Sequence, residues 1–214
     1  MAYSRLLLYN NALRLCGERR LASLTEDRKP RHLLDQVWNE GGVDFCLEQG
    51  QWNFAMRAVQ LDYDTAVTPA FGYTRGFSKP SDWIRTAGLC SDEGFRAPLL
   101  EYMDEAGYWF ASLDVLYVRY VSNDTDWGAN FSLWPETFSR YVASHFASEI
   151  VFDMTSDKER ITLVERLTVR RKRDALNKDA MNDATRMPAP GSWSRARMGS
   201  RGGRDGGSRG NLIG

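Results

Sequence analysis

The chain has 214 residues, 43% hydrophobic and 12% aromatic, enough apolar material for one large domain or a core domain with appendages. Its 28 basic and 28 acidic residues cancel, but residues 156–214 hold 14 Lys/Arg against 7 Asp/Glu, so the first 155 hold 14 against 21; such a gradient is either a solvated basic helix with a free tail, the plainer reading, or a bipolar subunit suited to stacking against copies or facing a polyanion. Cys16, Cys46 and Cys90 are widely spaced without a CxxC, which argues against a zinc site and a disulfide framework, and no window approaches the ~18 apolar residues of a membrane span.

The N-terminus has only the apolar run Leu6-Leu7-Leu8, too short for a signal peptide, so a reduced cytosolic site of synthesis is expected. Residues 4–16 predict a helix, with Ser4 able to cap its start and Gly17 placed to end it. A charged connector over 18–29, anchored by Leu21 and Leu24, leads to Pro30, which suits a first helical turn because its missing N–H has no partner there anyway. Leu33, Leu34, Val37, Trp38 and Phe45 keep helical spacing to about residue 48, with Gly41-Gly42 a point of kinking or close packing.

The period then changes. Residues 54–61 predict a strand, 69–80 a Gly- and aromatic-rich loop, and 83–90 a second strand. From Leu99 to Val121 the β-formers Leu100, Tyr102, Tyr108, Phe110, Val115, Tyr117 and Val118 predict a meander, with a turn at Asp104 to Gly107. Helix returns at Pro135, where Phe138, Tyr141, Val142, Phe146, Ile150 and Met154 form one stripe. Thr155-Ser156 breaks it, and Ser156 with Glu159 fits a capping box for a last helix to about residue 183. Its apolar stripe of Ile161, Val164 and Leu167 fades at Arg170, Arg171, Lys172 and Arg173, so its second half is expected to project or to lie on a partner.

The order of elements predicts an α+β chain: a helical bundle from 1–50 and 132–184, an appended antiparallel β domain with long loops over 51–131, and an extended Arg/Gly-rich C-terminal arm over 185–214. Leu13 and Leu33 should meet Phe138, Val142 and Phe146. Phe71, Tyr73, Phe77, Trp83, Trp109, Trp127 and Trp134 exceed the needs of one small core, which points to surface buried in an assembly. In the arm, Trp193, Leu212 and Ile213 are apolar anchors that a solubility tail does not need, and Arg195, Arg197 and Arg201 can reach acidic groups. A docking strap is the preferred reading, ahead of a free tail and of an RGG-type nucleic-acid binder.

Catalytic motifs are missing from the sequence: there is no Walker loop, GxGxxG, GxSxG or HExxH. His32 and His145 lack partners at ligand spacing, and His145 reads as a half-buried, hydrogen-bonded histidine. Asp62 with Asp64 and Asp124 with Asp126 read as turn formers, since Asp bonds its own backbone there. No catalytic residue, metal or cofactor is expected.

Five strings stand in order: Ala12-Leu-Arg-Leu-Cys-Gly-Glu18, Leu21-Ala-Ser-Leu24, Gln51-Trp-Asn-Phe-Ala55, Pro69-Ala-Phe-Gly-Tyr73 and Pro80-Ser-Asp-Trp-Ile84. In order and spacing, over roughly residues 8–180, they resemble the tail tubular protein A, or gatekeeper, adaptors of short-tailed bacteriophages. That family has an A-L-x-x-L-G-E start, W-N-F-A, F-G-Y and L-P-x-D blocks, and a late helical pair. Cys16 and Lys79 stand where the family usually has Leu. The resemblance implies a non-enzymatic virion protein of the neck and tail, assembled in the host cytoplasm as a ring of about twelve copies. Such a ring joins the portal protein to the tail nozzle protein, and DNA passes transiently through its lumen. Gly17, Trp52, Phe54, Phe71 and Pro80 would be its fold signatures. The alternative is a nucleic-acid-binding module that uses the basic last helix and the RGG-like tail.

Overall fold

The first helix, α1, spans Arg5–Cys16 and has both predicted ends. Ser4 Oγ accepts from the Leu7 amide at 3.3 Å. Gly17, at φ 78°, closes the helix, with Gly17 N–H donating to the Arg14 carbonyl and Glu18 N–H to that of Leu13. These are the paired bonds of a Schellman end, which favours glycine because its central residue is left-handed. In the connector only Leu21 is an anchor, 3% exposed against 38% for Leu24. Asn10 holds it by both faces of its amide, accepting from Leu21 N–H at 2.7 Å and donating to its carbonyl at 3.1 Å.

The computed structural model describes residues 3–182. The helix expected to reach residue 48 is two helices, α2 (Lys29–Asn39, with Pro30 in its first turn) and α3 (Gly42–Glu48). Gly41 takes φ 85°, which redirects the chain. Gly42 lies so close to its neighbours that a Cβ there would stand 2.9 Å from Val37 and 3.1 Å from the Phe146 ring. Both glycines suggested a kink in the sequence; together they produce a break.

Helix α4, Glu136–Met154, gathers the other helices. Leu8, Tyr9 and Leu13 of α1, Leu34 of α2, and Cys46 and Leu47 of α3 share one buried cluster with Phe138, Val142 and Phe146. Leu33 packs on it half-buried, so the predicted meeting of the early helices with the α4 stripe is present. Helix α5, Lys158–Ala180, is about 34 Å long at 1.5 Å per residue. Its cap is Asp157, whose carboxylate accepts from the amides of Glu159 and Arg160. Ser156 is not the cap, because the chain is still extended at Thr155 and the helix begins one residue later than the box required. The second half of α5 does not project from the fold. Ala175 is 1% exposed, and the buried Asp179 carboxylate accepts from Asn53 N–H at 3.1 Å. Asn53 Nδ2 in turn donates to the Asp179 carbonyl at 3.1 Å.

The segment after Trp52 starts with one 3-10 turn, Asn53–Ala55, so the first strand, β1, runs over Met56–Asp62. The remaining strands are β2 (Arg75–Ser78), β3 (Trp83–Cys90), β4 (Met103–Glu105), β5 (Tyr108–Ala111) and β6 (Val115–Ser122). They form two antiparallel sheets rather than one meander, in the orders β1-β6-β3 and β2-β5-β4. The expected turn at 104–107 is shorter, because Asp104 and Glu105 pair within β4–β5. Ala106 and Gly107 make the turn with φ 48° and 84°, the positive values a type I′ hairpin needs. Leu100 and Tyr102 lie outside the strands, and Leu100 is 86% exposed. The sheets share a second cluster: Phe77 of β2, Leu89 of β3, Trp109 and Ala111 of β5, and Leu116, Val118 and Tyr120 of β6. The fold is therefore α+β.

Candidate functional site

The four basic residues that end the α5 stripe point in different directions, since consecutive helical residues are about 100° apart. Arg171 and Lys172 turn toward the body. Arg171 Nη1 donates to the Arg140 carbonyl at 3.2 Å, and Lys172 Nζ to Gln49 Oε1 at 2.6 Å. Arg170 and Arg173 are exposed, with Arg170 Nε 3.8 Å from Asp174. Arg166, Arg170 and Arg173, spaced i, i+4, i+7, form the exposed basic row on this helix. Leu163 and Val169 stand among them, 65% and 72% exposed.

On its other flank α5 borders a polar groove of about 330 Å³ lined by Asn11, Arg14, Glu136, Arg140, Ala143 and Arg171. It lies between α1, α4 and α5. Tyr3 borders it, donating to the Ser139 carbonyl at 3.2 Å and accepting from Asn11 Nδ2 at 3.3 Å. Burial, then the charges of Arg140 and Arg14, push the Arg171 guanidinium below its ordinary pKa.

The residues expected to be fold signatures divide. Trp52 is 1% exposed; its Nε1 donates to the Cys46 carbonyl at 3.1 Å, and its ring meets Phe138 edge-on at 4.8 Å. Phe54 packs on Phe138 at 4.7 Å. Gly17 ends α1. Pro80 opens the turn that presents Asp82, a residue sequence reasoning passed over. The Asp82 carboxylate accepts from Arg57 Nη1 at 2.8 Å, Tyr120 OH at 3.1 Å and Ser122 Oγ, which ties the start of β3 to β1 and β6. Lys79 holds its ammonium 3.7 Å from the Trp83 ring centroid and 2.6 Å from Asp104, so its charge is paired while it lies over the ring. Phe71 is 81% exposed. Phe77 and Trp109 are wholly buried and Trp134 is 7% exposed, so much of the aromatic excess goes into the chain's own cores.

His145 is buried and stacks on Phe45 at 4.7 Å, with its Nδ1 3.6 Å from Glu149, beyond hydrogen-bond reach. Burial, opposed by Glu149, keeps its pKa below the ordinary 6.5. His32 lies on the surface, 2.7 Å from Asp27. Asp64 accepts from the Ala66 amide and Asp124 from that of Asp126, both at 2.9 Å, the short-range bonds of Asx turns. Cys16, Cys46 and Cys90 are buried free thiols. Among the described residues no group of His, Cys, Asp and Glu has the arrangement of a metal site, and no helix is long and apolar enough to cross a membrane. Trp193, Arg195, Arg197, Arg201, Leu212 and Ile213 lie outside the described residues. No protein-family model matches the chain, and no curated protein matches it.

Proposed function

We propose that the chain is a structural subunit of a head-to-tail connector: a homo-oligomeric ring of about twelve copies in the virion neck that joins portal to tail nozzle and surrounds the exiting DNA. The observation that carries this reading is the exposure of large apolar side chains on two separate regions. Phe71 and Leu100 stand 81% and 86% exposed on the loops of the β segment. Phe152, Leu163 and Val169 stand 78%, 65% and 72% exposed on α4 and α5. Exposed apolar side chains on both the β segment and the last two helices are what a subunit with neighbours on two sides would bury. The five ordered sequence strings support the same reading, and the helical bundle with its appended β segment is the subunit body that it requires. The arm from residue 185 would serve as the strap to portal or neighbour.

The row Arg166, Arg170 and Arg173 favours a second reading, in which a monomer binds nucleic acid through α5. Native mass measurement with negative-stain imaging separates the two. A closed ring, or a complex with portal rings, is the outcome expected of a connector. A monomer that ignores portal rings and binds duplex DNA with a steep salt dependence would replace it with the second reading.

A further inference from the structure

We infer that the groove between α1, α4 and α5 is a phosphate-binding site built from Arg14, Arg140, Arg171 and Asn11. Three helices distant in sequence each contribute a guanidinium to one concavity of about 330 Å³, and the lining holds one carboxylate, Glu136. That carboxylate is already engaged with Arg140 at 2.8 Å. Arg171 is half-buried and its side chain donates to a main-chain carbonyl, without an ion pair among the described residues. The Arg14 side chain has neither an ion pair nor a hydrogen bond among them. Arg171 is partly withdrawn from water beside the exposed Arg14 and Arg140, which repel it, and removing a cation from water costs free energy unless an anion restores it. The helices meet through Ala12, Val142, Ala147 and Val164, so the packing core does not itself require three arginines beside it.

Phosphate fits this arrangement better than a carboxylate. A carboxylate has two oxygens and one charge, which one guanidinium fork satisfies. A terminal phosphate has three free oxygens and up to two charges, so it can engage forks from three directions at once; a backbone phosphodiester has only two free oxygens and one charge, but successive diesters along a strand can each meet a fork. Asn11 supplies a neutral donor on the α1 side. The shared chemistry is a phosphate group, and its source is either a small polyphosphate or the backbone of a nucleic acid. The inference stands apart from the ring reading, because a monomer and a ring subunit would carry the same groove.

The experiment uses the full chain and two probes: inorganic pyrophosphate by calorimetry, and a short duplex DNA by fluorescence anisotropy. Arg171→Gln tests the half-buried member. Arg14→Gln tests an exposed member whose loss leaves the core intact. Arg173→Gln, on the exposed row outside the groove, is the control. Saturable binding that falls about tenfold or more in Arg14→Gln and Arg171→Gln but holds in Arg173→Gln is the expected result. Pyrophosphate binding with this pattern and none for DNA assigns a small polyphosphate; the pattern in the DNA arm assigns the nucleic-acid backbone. The inference is overturned if neither probe binds the wild-type chain, or if Arg173→Gln weakens binding as much as Arg14→Gln does, which would mean diffuse surface charge.

Discussion

Asp82 receives hydrogen bonds from three side chains on two strands, Arg57 of β1 and Tyr120 and Ser122 of β6, and is itself 12% exposed. Burial alone would raise its pKa; the bonds from Ser122, Arg57 and Tyr120 outweigh that and hold it below the ordinary 3.8. Asp82→Ala leaves two buried hydroxyls and a guanidinium without their acceptor and is expected to destabilise the fold by about 2–3 kcal/mol in urea unfolding. A carboxyl lowered by folding stabilises the native state above its ordinary pKa, and that contribution is lost as the pH falls through the folded value. The gap between wild type and Asp82→Ala should therefore narrow on acidification below about 3.8. His145 works in a different pH range. Burial keeps its imidazole neutral in the fold, so below the ordinary 6.5 the unfolded chain takes up a proton that the folded chain resists. Stability should decline as the pH falls below the ordinary 6.5. In His145→Phe, which retains a ring against Phe45, the decline should be smaller; an equal decline in both proteins would remove His145 as its source. The sequence block around Pro80 pointed to this region, but the partners of Asp82 come from residues 57, 120 and 122, and no local pattern announces them.

At the scale of elements, the last helix is capped by Asp157 and not by Ser156, the residue expected to cap it. Asp157→Ala should lower stability by about 1 kcal/mol, and Ser156→Ala should be nearly neutral, as thermal melts of the two variants can establish. Local rules located α1 with both its ends, the first turn of α2, the α4 stripe, and strands β3 and β6, because caps, proline and periodicity act within a few residues. They were less successful where distant packing decides. Gly41 and Gly42 were legible as a weak point, but the close approach of Gly42 to the Phe146 ring, a hundred residues away, was not. The second half of α5 looked too polar to dock, and it docks through Ala175 and through Asp179 to the backbone of Asn53. The groove was illegible for the same reason. Arg171 stood out inside a basic run, but Arg14 and Arg140 are ordinary helix-surface arginines until the fold brings all three to one place.

At the scale of the molecule, the connector proposal makes the outer face of α5 an interface. Val169→Asp and Leu163→Asp alter side chains that stand in solvent in the isolated chain, so each should change its unfolding free energy by no more than about 0.5 kcal/mol. Either should nonetheless convert a ring to smaller species in native mass spectra, because a carboxylate would then be buried without a partner at the contact. Assembly unaffected by both substitutions would move the interface away from this helix.

The pairing of β1 with β6 has one more consequence. Met56 lies opposite Val121, so the chain leaves the helices and returns to them at adjacent points, about 5 Å apart in an antiparallel pair. Everything between those residues is a detour with its doorway closed. Because loop-closure entropy rises only slowly with length, such a detour can grow or shrink at little cost in closure, provided that Ile84 and Arg85 keep their contacts with the helices. The helical frame and the sheets can thus diverge at different rates over evolutionary time, the one fixed by α4 and the other free to follow whatever it touches.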